Sequence, residues 1–164
     1  MSAPSVQTTL TVTNFTDDKA NALVALFKTY IPGLTNVMKF VRPIGDKTLP
    51  LDCLMVQPKM ADPRMLTTAK YETWYFFDLY YYVGGASIEA VGVKVTAVAE
   101  TFMKLFSQNA LGDGSVKFKQ YEPYWTNSEM SRFEFSPAFL LGREGPKYAA
   151  VGYCQLKVMT VTLK

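Results

Sequence analysis

Histidine is absent from the chain, and its absence excludes more chemistry than any other missing residue. No Ser-His-Asp or Cys-His nucleophile can be built, most zinc sites are lost, and the commonest general base is gone. Cysteine occurs twice, at Cys53 and Cys154, each in an apolar strand-like context without Cys-x-x-Cys spacing, which fits two buried reduced thiols. Charge is sparse as well. Charged residues make up 19% of the chain, the formal net charge is +3, and no basic block stands out, so specific nucleic-acid recognition is not expected. No run reaches the roughly eighteen apolar residues of a membrane helix, and Met-Ser-Ala-Pro-Ser-Val lacks the charged-then-apolar pattern of a signal peptide. The expected place of synthesis and folding is the cytosol, away from membranes.

What is present is apolar surface. Hydrophobic residues reach 49% and aromatic residues 14%, rich for a soluble monomer, and this composition suggests an oligomer. A length of 164 residues suits one domain, 1–164, around a single core.

The stretch from Tyr71 to Val83, Tyr-Glu-Thr-Trp-Tyr-Phe-Phe-Asp-Leu-Tyr-Tyr-Tyr-Val, predicts one long central strand ended by Gly84-Gly85. Tyr75, Phe77, Leu79, Tyr81 and Val83 share one face, and Glu72, Trp74, Phe76, Asp78, Tyr80 and Tyr82 the other. Neither face is polar, so each needs a cover: the chain's own helices on one side, and a partner or a second layer on the other.

In chain order, residues 1–13 read as a mobile arm. A helix follows, with Thr16 as N-cap, Asp17 and Asp18 in its first turn, and Ala20, Leu23, Val24, Phe27 and Ile31 on one face up to Pro32-Gly33. Val37–Val41 and Leu49–Val56 read as the two strands of a hairpin. Residues 57–70, broken by Pro58 and Pro63, read as a long exposed loop. Ser87 is the expected N-cap of a second helix running to about Gln108, with Ile88, Val91, Val95, Val98, Phe102, Leu105 and Phe106 as its apolar stripe. Val116–Tyr121 alternates like a strand, and residues 122–149 read as a second extended, Pro-broken loop, with at best a short strand or arm where Phe133 and Phe135 alternate with Arg132 and Glu134. Val151–Leu163 closes the pattern as another long strand, expected beside the central one. The fold class is therefore α+β: a mixed, mainly antiparallel sheet with two helices on one face and long interface loops.

No catalytic, cofactor-binding or metal-ligating motif emerges. Glu72 and Asp78 are six positions apart, about 20 Å along a strand, too far to act on one bond, although Asp52 from a neighbouring strand could complete a metal-dependent hydrolytic site. The simpler expectation is that each acid meets a Lys or Arg across the sheet. Gly112-Asp113-Gly114 is not followed by Lys-Ser/Thr or a helix, so it reads as a turn. Trp74, Tyr80 and Tyr82 could form a platform for a small ligand or carbohydrate.

Leu26-Phe-Lys-Thr-Tyr-Ile-Pro-Gly-Leu at the first helix end and Phe102-Met-Lys-Leu-Phe-Ser-Gln-Asn at the second carry a likeness to a known family. Gly112-Asp-Gly-Ser-Val-Lys-Phe and the closing Tyr153-Cys-Gln-Leu-Lys-Val-Met-Thr-Val-Thr-Leu add to it. With its order of elements, the chain resembles the tail terminator and tail-completion proteins of long-tailed bacteriophages. The resemblance implies a structural virion protein of the tail or neck, assembled in the host cytoplasm, without catalysis, metal or cofactor. It implies a homo-hexameric ring that caps the tail tube, stops its polymerisation, joins it to the head connector or head-completion protein, and lets the genome pass. A head-tail adaptor or tube subunit is the alternative within this class. Under this reading Lys59, Met60, Arg64 and Met65 are expected to meet the axial partner. Tyr124, Trp125, Phe133, Phe135, Phe139 and Leu140 are expected to meet the neighbouring subunit.

Overall fold

The computed structural model describes residues 15–31, 33–34, 36–39, 49–68, 70–110, 127–141 and 145–163. The expected arm 1–13, the expected strand Val116–Tyr121, and Tyr124 and Trp125 lie outside the described residues. Two helices, α1 (Phe15–Tyr30) and α2 (Ile88–Ala110), accompany seven strands: β1 (Asn36–Lys39), β2 (Cys53–Thr67), β3 (Lys70–Gly85), β4 (Asn127–Met130), β5 (Glu134–Phe135), β6 (Phe139–Leu140) and β7 (Tyr148–Leu163). They form one mixed, mostly antiparallel sheet in the order β1-β2-β3-β7-β4, with β5 and β6 also pairing with β7. The fold is α+β.

The aromatic stretch is the centre of this sheet. β3 pairs with β2 on one edge and with β7 on the other, from Lys70 opposite Leu163 to Gly85 opposite Tyr148. Its odd-numbered side chains Tyr75, Phe77, Leu79, Tyr81 and Val83 are buried under the helices with Leu54 and Val56 of β2 and Cys154, Leu156 and Val158 of β7. From α1 come Ala20, Leu23, Leu26 and Phe27, with Ile31 just past its end, and from α2 come Val91, Val95, Val98 and Phe102. Phe102 joins the two helices to the sheet: its ring lies 5.3 Å from that of Phe27 and 5.7 Å, edge-on, from that of Tyr81. The strand-period and helix-period stripes therefore meet in one core, and burial of apolar area there is the main stabilising term.

Local expectations hold unevenly. Ser87 caps α2, its Oγ accepting the Ala90 N–H at 3.1 Å. Ile88 is 59% exposed, because it opens the helix and the stripe reaches the core only at Val91. α1 begins at Phe15, so Thr16 lies inside the first turn and is not its N-cap. β1 and β2 are not a hairpin: they run parallel, with Asn36 opposite Cys53.

The largest correction concerns residues 57–70, expected as a loop. Up to Thr67 they are the outer half of β2, in register with β3 through Met65 opposite Tyr71 and Thr67 opposite Lys70. Prolines break a central strand because their missing N–H leaves a gap in the ladder, but an edge strand needs donors on one side only. β1 covers β2 only from Cys53 to Val56, so among the described residues Gln57–Thr67 is such an edge. Residues 122–149 are likewise not one loop: the described part places the short strands β4, β5 and β6 against β7.

Candidate interface on the open face of the sheet

The face of the sheet opposite the helices has a different character at its two ends. At the end where β3 stops, Leu49, Cys53, Met55, Tyr82 and Ala149 are buried in a second, smaller cluster with Leu51, Phe139 and Leu141 packed over it. Tyr82 stacks on Phe139 with ring centroids 6.3 Å apart, which leaves Tyr82 almost wholly buried. A platform of Trp74, Tyr80 and Tyr82 therefore does not exist. Tyr82 is covered, and Trp74 is six positions from Tyr80.

Beyond that cover the register sets out successive rows of side chains on the open face. Gln57, Asp78 and Gln155 form one row, then Met60, Phe76, Lys157 and Glu129, and then Asp62, Trp74 and Met159. Phe76, Trp74, Tyr80, Tyr153 and Met159 are each half-buried, and Met60 is 50% exposed. Charges are distributed around these apolar groups as pairs. Lys59 bridges Asp78 at 3.2 Å, Arg64 bridges Asp62 at 2.9 Å, and Lys157 reaches Glu129 at 3.5 Å while standing 5.6 Å over the Phe76 ring. The Trp74 indole N–H donates to Glu72. An apolar and aromatic surface threaded with paired charges has the make-up of a protein contact surface.

Asp78 is the polar centre of the face and is nearly buried. Besides Lys59, its Oδ1 accepts the Tyr153 hydroxyl at 2.9 Å and the Gln155 amide at 3.2 Å. The expectation that isolated acids meet a basic partner across the sheet holds for Asp78. Tyr153 responds to this setting: burial first, then the hydrogen bond and charge of Asp78, push its phenol up to about 12.

Beside Asp78 a cleft of about 360 Å³ opens, lined by Tyr80, Tyr153, Val151, Glu134, Phe135 and Ser136. The rings of Tyr80 and Tyr153 lie 5.0 Å apart, and Phe135 is 46% exposed at the mouth. Ser136 is held by the strand, its Oγ accepting the Val151 N–H at 2.9 Å.

A second cleft, of about 280 Å³, lies on the helix side between Ile31, Val83, Val98 and the Asp52–Lys94 pair. Asp52 has a φ of 54°, the left-handed region that Asp tolerates better than most side chains. Its carboxylate holds Lys94 at 3.0 Å and accepts the Gly84 N–H at 3.3 Å, while Lys94 also donates to the Gly84 carbonyl at 2.8 Å. These bonds tie the start of β2 to the end of β3 and to α2. Asp52 is thus engaged far from Asp78 and Glu72. No group of three or more Cys, Asp or Glu side chains able to hold a metal occurs among the described residues.

The residues expected to make partner contacts are divided by the structure. Lys59, Met60, Arg64 and Met65 all lie on the outer half of β2, with Met65 66% exposed. Phe135 and Leu140 are exposed, whereas Phe133 stacks on Phe102 at 5.9 Å and Phe139 on Tyr82, so both pack within their own chain. Tyr153, Gln155 and Lys157 were missed as contributors to the face. The signal was present, since β7 was expected beside β3 and its odd positions share a face. Only the register, Tyr80 opposite Tyr153, was needed to bring them to Asp78. No helix among the described residues is long and apolar enough to cross a membrane. No family model and no curated protein matches the chain.

Proposed function

We propose that this chain is a structural assembly subunit of the tail terminator type, a virion protein that acts through surfaces. The observation that carries the reading is the open face of the sheet, where Trp74, Phe76, Tyr153 and Met159 stay partly exposed among paired charges. A face of this kind gains by being covered by another protein surface, at roughly 25 cal/mol per Å² of apolar area removed from water. The likeness at the two helix ends and in the closing strand supports the assignment. The family's hexameric ring on the tail tube is the assembly to which the face belongs. In that setting the ring ends tube growth and presents its other side to the head connector.

The chain's own edges argue for contact through the face. Pro58, Pro63 and Lys59 on the outer half of β2, with register shifts at Pro58/Met60 and Met65/Thr67, are devices that discourage strand addition at an edge. The test is the mass of the purified chain by light scattering over a range of concentrations, with imaging of the largest species. A closed ring of six is expected. A monomer at every concentration would sink the proposal, and open filaments would reassign the chain to a tube subunit.

A further inference from the structure

The cleft beside Asp78 has the chemistry of a receptor for a planar cation. Tyr80 and Tyr153 supply two aromatic rings 5.0 Å apart, Phe135 and Ser136 line it from β5 and the residue after it, the Glu134 carboxylate stands at its rim, and Asp78 accepts the Tyr153 hydroxyl. Aromatic faces carry a negative quadrupole, and a guanidinium can stack on such a face while pairing with a carboxylate at the ring's edge. The upward push on the Tyr153 phenol, to which Asp78, Tyr80 and Glu134 all add after burial, reports the same negative surroundings.

Two arginines occur among the described residues. Arg132 sits on the rim itself, its Nε 3.3 Å from Glu134. Arg64 lies at the far end of the same face, opposite Glu72. It is eight positions along β3 from Tyr80, roughly 26 Å, beyond the reach of any side chain. Its side chain is largely exposed, and only its Nε and one Nη donate to Asp62. One end of the face thus presents an exposed cation, and the other an aromatic cleft with a carboxylate rim.

We infer that the cleft of Tyr80, Tyr153, Phe135 and Glu134 receives Arg64 from the outer end of β2 of a second copy of this chain. The inference rests on the assembly reading above and supplies its joint. Because donor and receptor are different patches on one surface, the contact is heterologous and repeats head to tail, as a ring requires. Arg64 keeps Asp62 as an intramolecular partner and gains Glu134 and the ring faces across the joint.

Charge reversal tests it in the full chain. Arg64→Glu and Glu134→Arg, each checked for an unchanged thermal melt, are each expected to reduce the assembled species to monomer. Mixing the two variants in equal amounts is expected to restore assembly, because every joint then faces opposite charges. Arg64→Ala and Phe135→Ala serve where a reversed charge disturbs folding, and each is expected to weaken assembly at least tenfold in concentration. If the unaltered chain assembles and the single variants keep its mass, or the mixture stays monomeric, this joint is wrong while the assembly reading stands. If the unaltered chain is itself a monomer at every concentration, both fall.

Discussion

Tyr81 and Gly152 face each other across β3 and β7, and the pair shows how closely the core is fitted. The Tyr81 ring lies over the space where a side chain at residue 152 would stand, so that an added Cβ would fall onto the ring. The ring cannot retreat easily, because Phe102 packs against it and its hydroxyl reaches the Val95 carbonyl at 3.4 Å. Gly152→Ala is therefore expected to destabilise the fold by about 3 kcal/mol, read as a lower denaturant midpoint with an unchanged slope. Ionisation gives a second prediction at this scale. Burial pushes the Cys53 thiol from its ordinary 9.0 up to about 11 and the Cys154 thiol from 9.0 up to about 12, with Asp52 and Asp78 adding respectively. Tyr153 rises from 10.0 to about 12. Each folded-state value lies above the unfolded one, so the native state prefers the protonated form. Stability from these groups is complete below about pH 9 and is lost as pH rises toward 12. Urea titrations at intervals across that window should show a falling midpoint, and Cys154→Ala should flatten the fall. At this scale the sequence was informative: two inert buried thiols followed from apolar context alone. The role of Gly152 did not, because it depends on a cross-strand neighbour far away in the chain.

Among the elements, the long strands and α2 were legible because aromatic and β-branched runs, or apolar residues three and four apart, repeat over many positions. β2 was half legible. Its inner half, Cys53–Val56, is apolar and reads as strand, while its outer half carries Pro58, Lys59, Pro63 and Arg64 and reads as loop. Those residue types weigh against a central strand, yet they are what a lasting edge requires. The parallel pairing of β1 with β2 was hidden for a different reason, since nothing local distinguishes a short strand that turns back from one that crosses over. The edge reading predicts that replacing both Pro58 and Pro63 with Thr gives a chain more prone to ordered aggregation, seen as faster dye-binding fibril growth. An unchanged aggregation rate would mean that charge and register shifts alone protect the edge.

For the whole molecule, the decisive asymmetry among the described residues is between a sheet face closed by two helices and one only partly closed by the cluster around Tyr82 and Phe139. The sequence indicated that both faces were apolar and that each needed a cover, the chain's own helices on one side and a partner or a second layer on the other. It did not show where the chain's own cover ends, because that depends on β6 returning to β7. Phe76→Glu, placed on the uncovered part, is expected to abolish assembly while changing monomer stability by less than about 1 kcal/mol, measured by sedimentation and by thermal melting. Loss of both together would mean that the side chain supports the core instead. The pairing of β3 with β7 has a further consequence, in time. Lys70 must wait for Leu163, and Gly85 for Tyr148, before the central strand has both of its neighbours. Contacts this distant in sequence slow folding, and during synthesis this aromatic strand stands with one edge open until Tyr148–Leu163 has been made. The free edge of β3 is therefore the place where a growing chain is most open to mispairing, from the time that strand emerges until β7 pairs with it.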